Sequence, residues 1–328
     1  MLLYAGIDEA GYGPMLGPLC IGCSIFSLDD HDARNGAPDL WDRLDHAICR
    51  GRRDRGRRIA IDDSKKLKGS RQGGPHPLHH LERGVLSFLA TTVNGLDWLD
   101  GLSDERVLSE LGVTVPAHPW YEGRTELPLG EDPALLRITT GRLGRALSES
   151  GVTCRSLSCE LIDADEFNEK VVRTGNKASL NFEAILRIIN RLRKAYPEDE
   201  VHIVVDRQGG RTRYRSDLQQ AWSDHAIQVL DEGPALCRYR LTPGHGPTWC
   251  LSFTQAGEHR HLPIALASMT AKFCRELLML RMNRWFIEAQ PGLQPTAGYV
   301  QDARRYLDDI APVIESRSIE RSKLVRNC

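Results

Sequence analysis

The run Leu2-Leu3-Tyr4-Ala5-Gly6-Ile7-Asp8-Glu9-Ala10-Gly11-Tyr12-Gly13-Pro14-Met15-Leu16-Gly17-Pro18-Leu19 decides how the rest of the chain is read. Its first half is an apolar strand that stops at two adjacent carboxylates. Glycines and prolines then turn the chain into a second apolar run, Leu19-Cys20-Ile21-Gly22-Cys23-Ser24-Ile25-Phe26. Short apolar runs bounded by turn residues suit buried central strands. Acids at the end of such a strand either point into solvent or need an opposite charge, because burying them unpaired is costly. Gly11-Tyr12-Gly13 is no dinucleotide fingerprint, since Pro14 follows at once and a strand, not a helix, comes next. The glycines instead let the backbone approach a sugar-phosphate chain closely.

A second acid of the same kind lies far along the chain. Phe182, Ile185, Leu186, Ile189 and Leu192 recur at helical spacing within 181–193, and the strand-like Val201-His202-Ile203-Val204-Val205 follows, ending on Asp206. Strand, helix, strand in this order predicts an α/β fold, in which ligands gather at the carboxyl ends of strands. The block from Ala256 to Met279 supplies Glu258, then a helix with Pro263 in its first turn and small residues at 265, 267, 268 and 271. Those small residues predict close packing on the sheet.

If Asp8, Glu9, Asp206 and Glu258 converge, they cannot all stay ionised alone. Two like charges about 4 Å apart repel by roughly 4 kcal/mol at an effective dielectric near 20. Several such pairs rival the stability of a whole domain, roughly 5–15 kcal/mol. The cluster must take up protons or cations. Oxygen ligands point to magnesium (Mg2+) or manganese (Mn2+), and two such ions about 3.5–4 Å apart are the usual apparatus for phosphodiester hydrolysis.

Composition narrows the field. With 328 residues and a net charge of −1, the chain is long enough for a large α/β domain and carries no uniform basic surface, so a nucleic-acid face must be local. The nine cysteines are an odd count without a secretory leader, so they read as buried thiols in a reducing cytoplasm. Cys20 and Cys23 lie three apart on a strand and should face opposite sides of the sheet. No apolar run approaches the roughly 20 residues that span a bilayer.

Other segments are read by local pattern. Leu40 to Cys49 is weakly helical, 81–93 fits strand or helix, and 133–150 is a helix. Residues 153–162 are a strand, and 301–310 form a late helix. The segment 95–132, rich in Gly, Pro and charge, is expected to be an insertion or small lid rather than core. Arg211, Arg213 and Arg215 are placed on one helix. Arg211, Arg213 and the cluster at 50–58 are candidate phosphate contacts, against the ordinary reading of a solvated charge run.

Four stretches together carry a resemblance. GIDEAGYGPMLGPL, IDDSKKL, VVDRQGG and AGEHRHLPIALASMTAKFCRELLM resemble, in order, the motifs of the type 2 ribonucleases H, the RNase HII and HIII family. The resemblance covers about two thirds of the chain. It implies a ribonuclease H-like fold: a central mixed β-sheet flanked by helices, as a single domain over 1–328 with insertions at about 31–58, 95–132 and 210–250. It also implies hydrolysis of the RNA strand of RNA–DNA hybrids with Mg2+ or Mn2+, two ions being expected, by a protein for which a monomer is favoured. Asp8, Glu9, Asp206 and Glu258 would be the catalytic metal ligands. Substrate would be bound by Gly11, Tyr12, Gly13, Ser64, Lys65, Lys66, Lys272 and Tyr299, with Gly11 and Gly13 sensing 2′-hydroxyls. Two departures stand out. Tyr12 replaces the arginine of RNase HII, which leaves cleavage at single embedded ribonucleotides open. The fourth acid is Glu258, as in RNase HIII, with Glu276 as its rival. The alternative is a relative that binds nucleic acid but cleaves poorly. A sugar-kinase-like ATPase would need a second phosphate motif and an adenosine motif, and neither is found.

Overall fold

The computed structural model describes residues 1–31, 36–52, 54, 58–69, 75–93, 95–207, 209 and 211–327. Its strands are β1 (Leu2–Ala10), β2 (Leu19–Leu28), β3 (Ile48–Cys49), β4 (Ile59–Ala60), β5 (Val152–Ile162), β6 (Glu200–Asp206), β7 (Ala226–Glu232), β8 (Leu236–Thr242) and β9 (Trp249–Thr254). Seven of them form one sheet in the order β5-β2-β1-β6-β9-β8-β7, and β3 pairs with β4 separately. β1, β6 and β9 run parallel, while β2 is antiparallel to both β1 and β5. In the five-stranded core β5-β2-β1-β6-β9, therefore, β2 alone runs against the rest. This is the expected α/β architecture, a mixed central sheet with helices on both faces, and β1 is the middle one of those five strands.

Side-chain alternation along β1 builds two apolar layers. Leu3, Ala5 and Ile7 pack with Ile185, Ile188, Ile189 and Leu192 of the helix Lys177–Ala195 on one face. Tyr4 and Ala10 face the opposite layer, which holds the long helix Leu262–Ala289. Cys20 and Cys23 divide between these layers as the strand spacing predicts, and both are free, buried thiols.

The long helix presses against the sheet where side chains vanish. A Cβ at Gly6 would sit 2.1 Å from the carbonyl carbon of Pro263, and one at Gly22 would sit 2.1 Å from the carbonyl oxygen of Ala267. Both obstacles are backbone, which cannot turn aside as a side chain can. Gly22→Ala should therefore cost about 2 kcal/mol through overpacking, read as a lower urea midpoint at unchanged m-value. A midpoint equal to the parent's would mean that helix and strand can separate without loss.

Several local expectations change. The ambiguous 81–93 stretch belongs to the helix His79–Thr92, whose inner face buries Leu81, Val85, Leu86, Phe88 and Leu89. Leu40 to Cys49 is helical only over Leu40–Arg43 and then joins β3. The helix near 211–215 starts at Arg215, so Arg211 and Arg213 precede it instead of riding on it. β7 and β8 lengthen the main sheet on its β9 side.

The segment 95–132 is not a lid over the core but part of it. Trp98, Leu102, Val107, Leu108, Leu111, Trp120 and Tyr121 are all buried. Asp104 and Arg281 fasten the segment to the long helix through two buried hydrogen bonds, from Arg281 Nε to Oδ2 at 2.7 Å and from a terminal guanidinium nitrogen to Oδ1 at 2.8 Å. Among the described residues no helix is long and apolar enough to cross a membrane.

Candidate active site

Asp8 and Glu9 sit near the end of β1, Asp206 closes the neighbouring parallel β6, and β9 leads into the turn Gly257–His259 that carries Glu258. The Gly257 amide donates to Asp206 Oδ1 at 2.9 Å, holding the Glu258 turn against the end of β6. All four carboxylates line one cavity of about 260 Å³. Gly11, Tyr12, Gly13, Ser64, Lys65, Lys272 and Tyr299 share its wall.

Alternation gives the two adjacent acids different neighbours. Asp8 lies on the side of the long helix, beside Ser268. Glu9 lies toward the helix Lys177–Ala195, beside Asn181. Asn181 is fully buried, yet neither atom of its amide reaches hydrogen-bond geometry with a protein group.

The electrostatics are those of a cluster short of positive charge. Burial pushes Asp8 well above the ordinary carboxylate range, and Glu9 and Asp206 push it further. Burial, then the charge of Asp206, lifts Glu9 to about 7. Burial, with Glu258 as the repelling neighbour, lifts Asp206 to about 6 against the Gly257 hydrogen bond. Lys65 is the cation that draws both Glu9 and Asp206 downward. Its position follows from the cap. Asp63 Oδ1 accepts from the Lys65 amide at 2.9 Å, starting the short helix Ser64–Leu67 beside the cavity.

Lys66, an expected substrate contact, and Glu276, the rival for the fourth acid, lie outside the cavity wall. The Lys66 ammonium is 3.7 Å from Asp62 and 3.4 Å from the His259 ring, and Lys66 does not line the cavity. Glu276 pairs with Lys68 at 2.7 Å and with Lys272 at 2.8 Å. Burial alone would raise Glu276, but the two lysines outweigh it and hold it low. Arg50 stacks on Trp41 at 3.5 Å and donates to the His259 carbonyl, so one member of the 50–58 cluster reaches the Glu258 turn. Arg53, Arg55 and Arg57 lie outside the described residues, as do Gln208 and Gly210. Ser268, Asn181 and Asp63 adjoin the acids or line the cavity without having been singled out as site residues. Ser268 and Asp63 stand inside motifs already noted, whereas Asn181 carries no local signal.

The loop after Asp8-Glu9 is braced from remote parts of the chain. Arg275, fully buried on the long helix, donates to the carbonyls of Pro18 at 2.6 Å, Leu16 at 2.8 Å and Ala297 at 3.2 Å. The Gly298 carbonyl accepts from the Met15 amide at 2.8 Å. From the far end of the sequence, Val325 bridges Leu16, the Arg326 amide donates to the Met15 carbonyl at 2.9 Å, and the Arg326 guanidinium donates to the Pro14 carbonyl. Asn168 ties this tail down by donating to the carbonyls of Ser322 and Val325, each at 2.8 Å.

The donor set fits hard divalent cations. The acids offer oxygen only, they raise one another's pKa, and the orphaned amide of Asn181 beside Glu9 offers one more oxygen. Magnesium or manganese would relieve the repulsion that the protein's own cations leave.

No family model matches the sequence, and no curated protein matches it. Solved structures resemble the chain over nearly its whole length. A chain of the PCNA:RNase HII complex from Archaeoglobus fulgidus shares 14% identity, with 98% of this chain and 93% of that one covered at a TM-score of 0.44. The ribonuclease H2 from Pyrococcus horikoshii shares 15%, with 98% and 92% covered at 0.43. Bst-RNase HIII in complex with Mn2+ shares 14%, with 99% and 66% covered at 0.39. The fold itself rests on the chain's own strand order and register.

Proposed function

We propose that this protein is a divalent-metal-dependent endoribonuclease that hydrolyses the RNA strand of RNA–DNA hybrids. The observation that carries the reading is the meeting of Asp8, Glu9, Asp206 and Glu258, from three separate segments, in one cavity with Lys65 and Lys272. Those four acids, with Asn181 beside them, would hold Mg2+ or Mn2+. When bound, such ions lower the pKa of a water and neutralise charge on a phosphate.

The chain's own residues do the rest. Lys65 and Lys272 bring positive charge to the cavity wall where a backbone phosphate would lie. Gly11 has φ 92°, open to glycine but strained for other residues, and so keeps its backbone bare for a ribose 2′-hydroxyl. Tyr12, with the Lys177 ammonium 5.0 Å from its ring, presents a flat face beside that glycine. Tyr299, half exposed at the rim, offers a second ring for a sugar or base. The motif resemblance points the same way.

The test is to incubate labelled RNA–DNA hybrid, a DNA duplex carrying one ribonucleotide, and double-stranded RNA with the protein and either metal, and to size the products. Hybrid should be cut within its RNA strand, double-stranded RNA should survive, and a chelator should stop the reaction. Binding of hybrid without turnover at any concentration of either metal would refute the reading.

A further inference from the structure

A second group of metal-ligating side chains lies apart from the acidic cavity. The imidazole of His118 and the carboxylates of Asp163 and Asp165 each place one donor atom within 4.8 Å of the other two. They come from different parts of the chain. His118 precedes the short turn Pro119–Tyr121 of the buried 95–132 segment. Asp163 follows β5, and Asp165 stands in the first turn of the helix Ala164–Thr174.

Ordinary helix capping does not account for Asp163. It occupies the N-cap position, yet its side chain makes none of the hydrogen bonds to the first-turn amides that a capping aspartate makes. Only 4% of the residue is exposed, and its carboxylate faces the 118–121 segment instead. Asp163 Oδ1 accepts from the Tyr121 hydroxyl at 3.2 Å. Asp163 Oδ2 and His118 Nε2, both shut off from solvent, face each other 2.8 Å apart as an ion-pair contact outside hydrogen-bond geometry. An imidazole and a carboxylate that meet across so short a gap, away from water, need only part slightly to become neighbouring ligands of one ion. His118 is fixed by stacking on Trp120, with centroids 4.6 Å apart and planes 19° from parallel. Tyr121 orients the carboxylate from outside, as groups behind metal ligands do.

We propose that His118, Asp163 and Asp165 form a zinc site that clamps the 118–121 turn onto the end of β5. The donor set selects the metal. Imidazole with carboxylates suits zinc, whereas magnesium and calcium take oxygen alone. Tetrahedral bonds of about 2.1 Å require His118 and Asp163 to part by roughly 0.6 Å and the exposed Asp165 side chain to turn inward, and a fourth position is then left for water. The clamp would also steady the Tyr121 carbonyl, which accepts from Arg281 at 2.9 Å beside the Asp104 pair. This inference stands independently of the nuclease reading.

The test is zinc titration of the chelator-treated full chain by calorimetry, with millimolar magnesium present to occupy the all-oxygen cavity. Asp165→Asn is the primary variant, because Asp165 is exposed and its loss leaves the core untouched. His118→Asn is the second. The parent should bind one more zinc ion than either variant. Zinc at about one hundred times its Kd should raise the parent's Tm by about 4 °C or more, a rise both variants lack. Equal zinc stoichiometry in the parent and Asp165→Asn would overturn the proposal, as would a zinc-induced rise in Tm that survives both substitutions.

Discussion

Asp8→Asn is expected to lower hybrid hydrolysis by about 10³-fold or more, roughly 4 kcal/mol of transition-state stabilisation at 1.36 kcal/mol per decade. The substitution keeps the shape of the side chain and removes one charge. Asp8 stands where burial, Glu9 and Asp206 all disfavour that charge, so the acid is a burden to the fold and an asset only to bound cations. Two readouts should therefore move apart. Turnover of hybrid collapses in either metal, while the urea midpoint in chelator stays at or above the parent's. If the variant cleaves hybrid as fast as the parent, the assignment of the site is wrong. If it unfolds, Asp8 is a structural acid whose partner has been misjudged.

Asp104→Ala should destabilise the fold by about 3–5 kcal/mol, the cost of leaving a buried charge without its partner. Arg281 donates to both carboxylate oxygens, and the Thr125 amide supplies a third hydrogen bond to Oδ1 at 2.9 Å. Burial would raise Asp104, but Arg281 and the Thr125 amide override it and hold the carboxylate below its ordinary range. The sign follows. The unfolded state binds a proton more readily than the folded one, so this stabilisation is complete above the usual carboxylate pKa and fades as the pH falls below it. Replacing both partners by apolar residues, Asp104→Leu with Arg281→Met, should recover most of the loss, since paired apolar replacements are often neutral. A loss below about 1 kcal/mol for the single variant would place the pair in the class of solvated surface bridges.

What could be read from the sequence follows from where its signals are local. An apolar run that ends on an acid and then a glycine is a one-dimensional pattern, and it marked both β1 with Asp8-Glu9 and β6 with Asp206. The small residues of the long helix were legible for a similar reason, and Gly6 and Gly22 are their counterparts on the sheet. Composition misleads over 95–132 because it reports average polarity, while Trp120 and Tyr121 pack against the long helix, far away in the chain. The Asp104–Arg281 pair joins positions 177 residues apart, and nothing near either one announces the other. Asn181 is hidden in a different way. It sits among the apolar residues of an amphipathic helix, and only the pleat of β1 shows that Glu9 turns toward it.

The brace on the 14–16 loop has an implication for the order in which the molecule matures on the ribosome. Every acid of the cavity has been synthesised once Glu258 has emerged, yet the last of the braces on the stretch beside Asp8-Glu9 forms only when Arg326 reaches the carbonyls of Met15 and Pro14. A nascent chain stopped before Val325 would hold its charges in place with a looser edge beside them, so the enzyme proposed here would complete its substrate-gripping edge only once Val325 and Arg326 have been made.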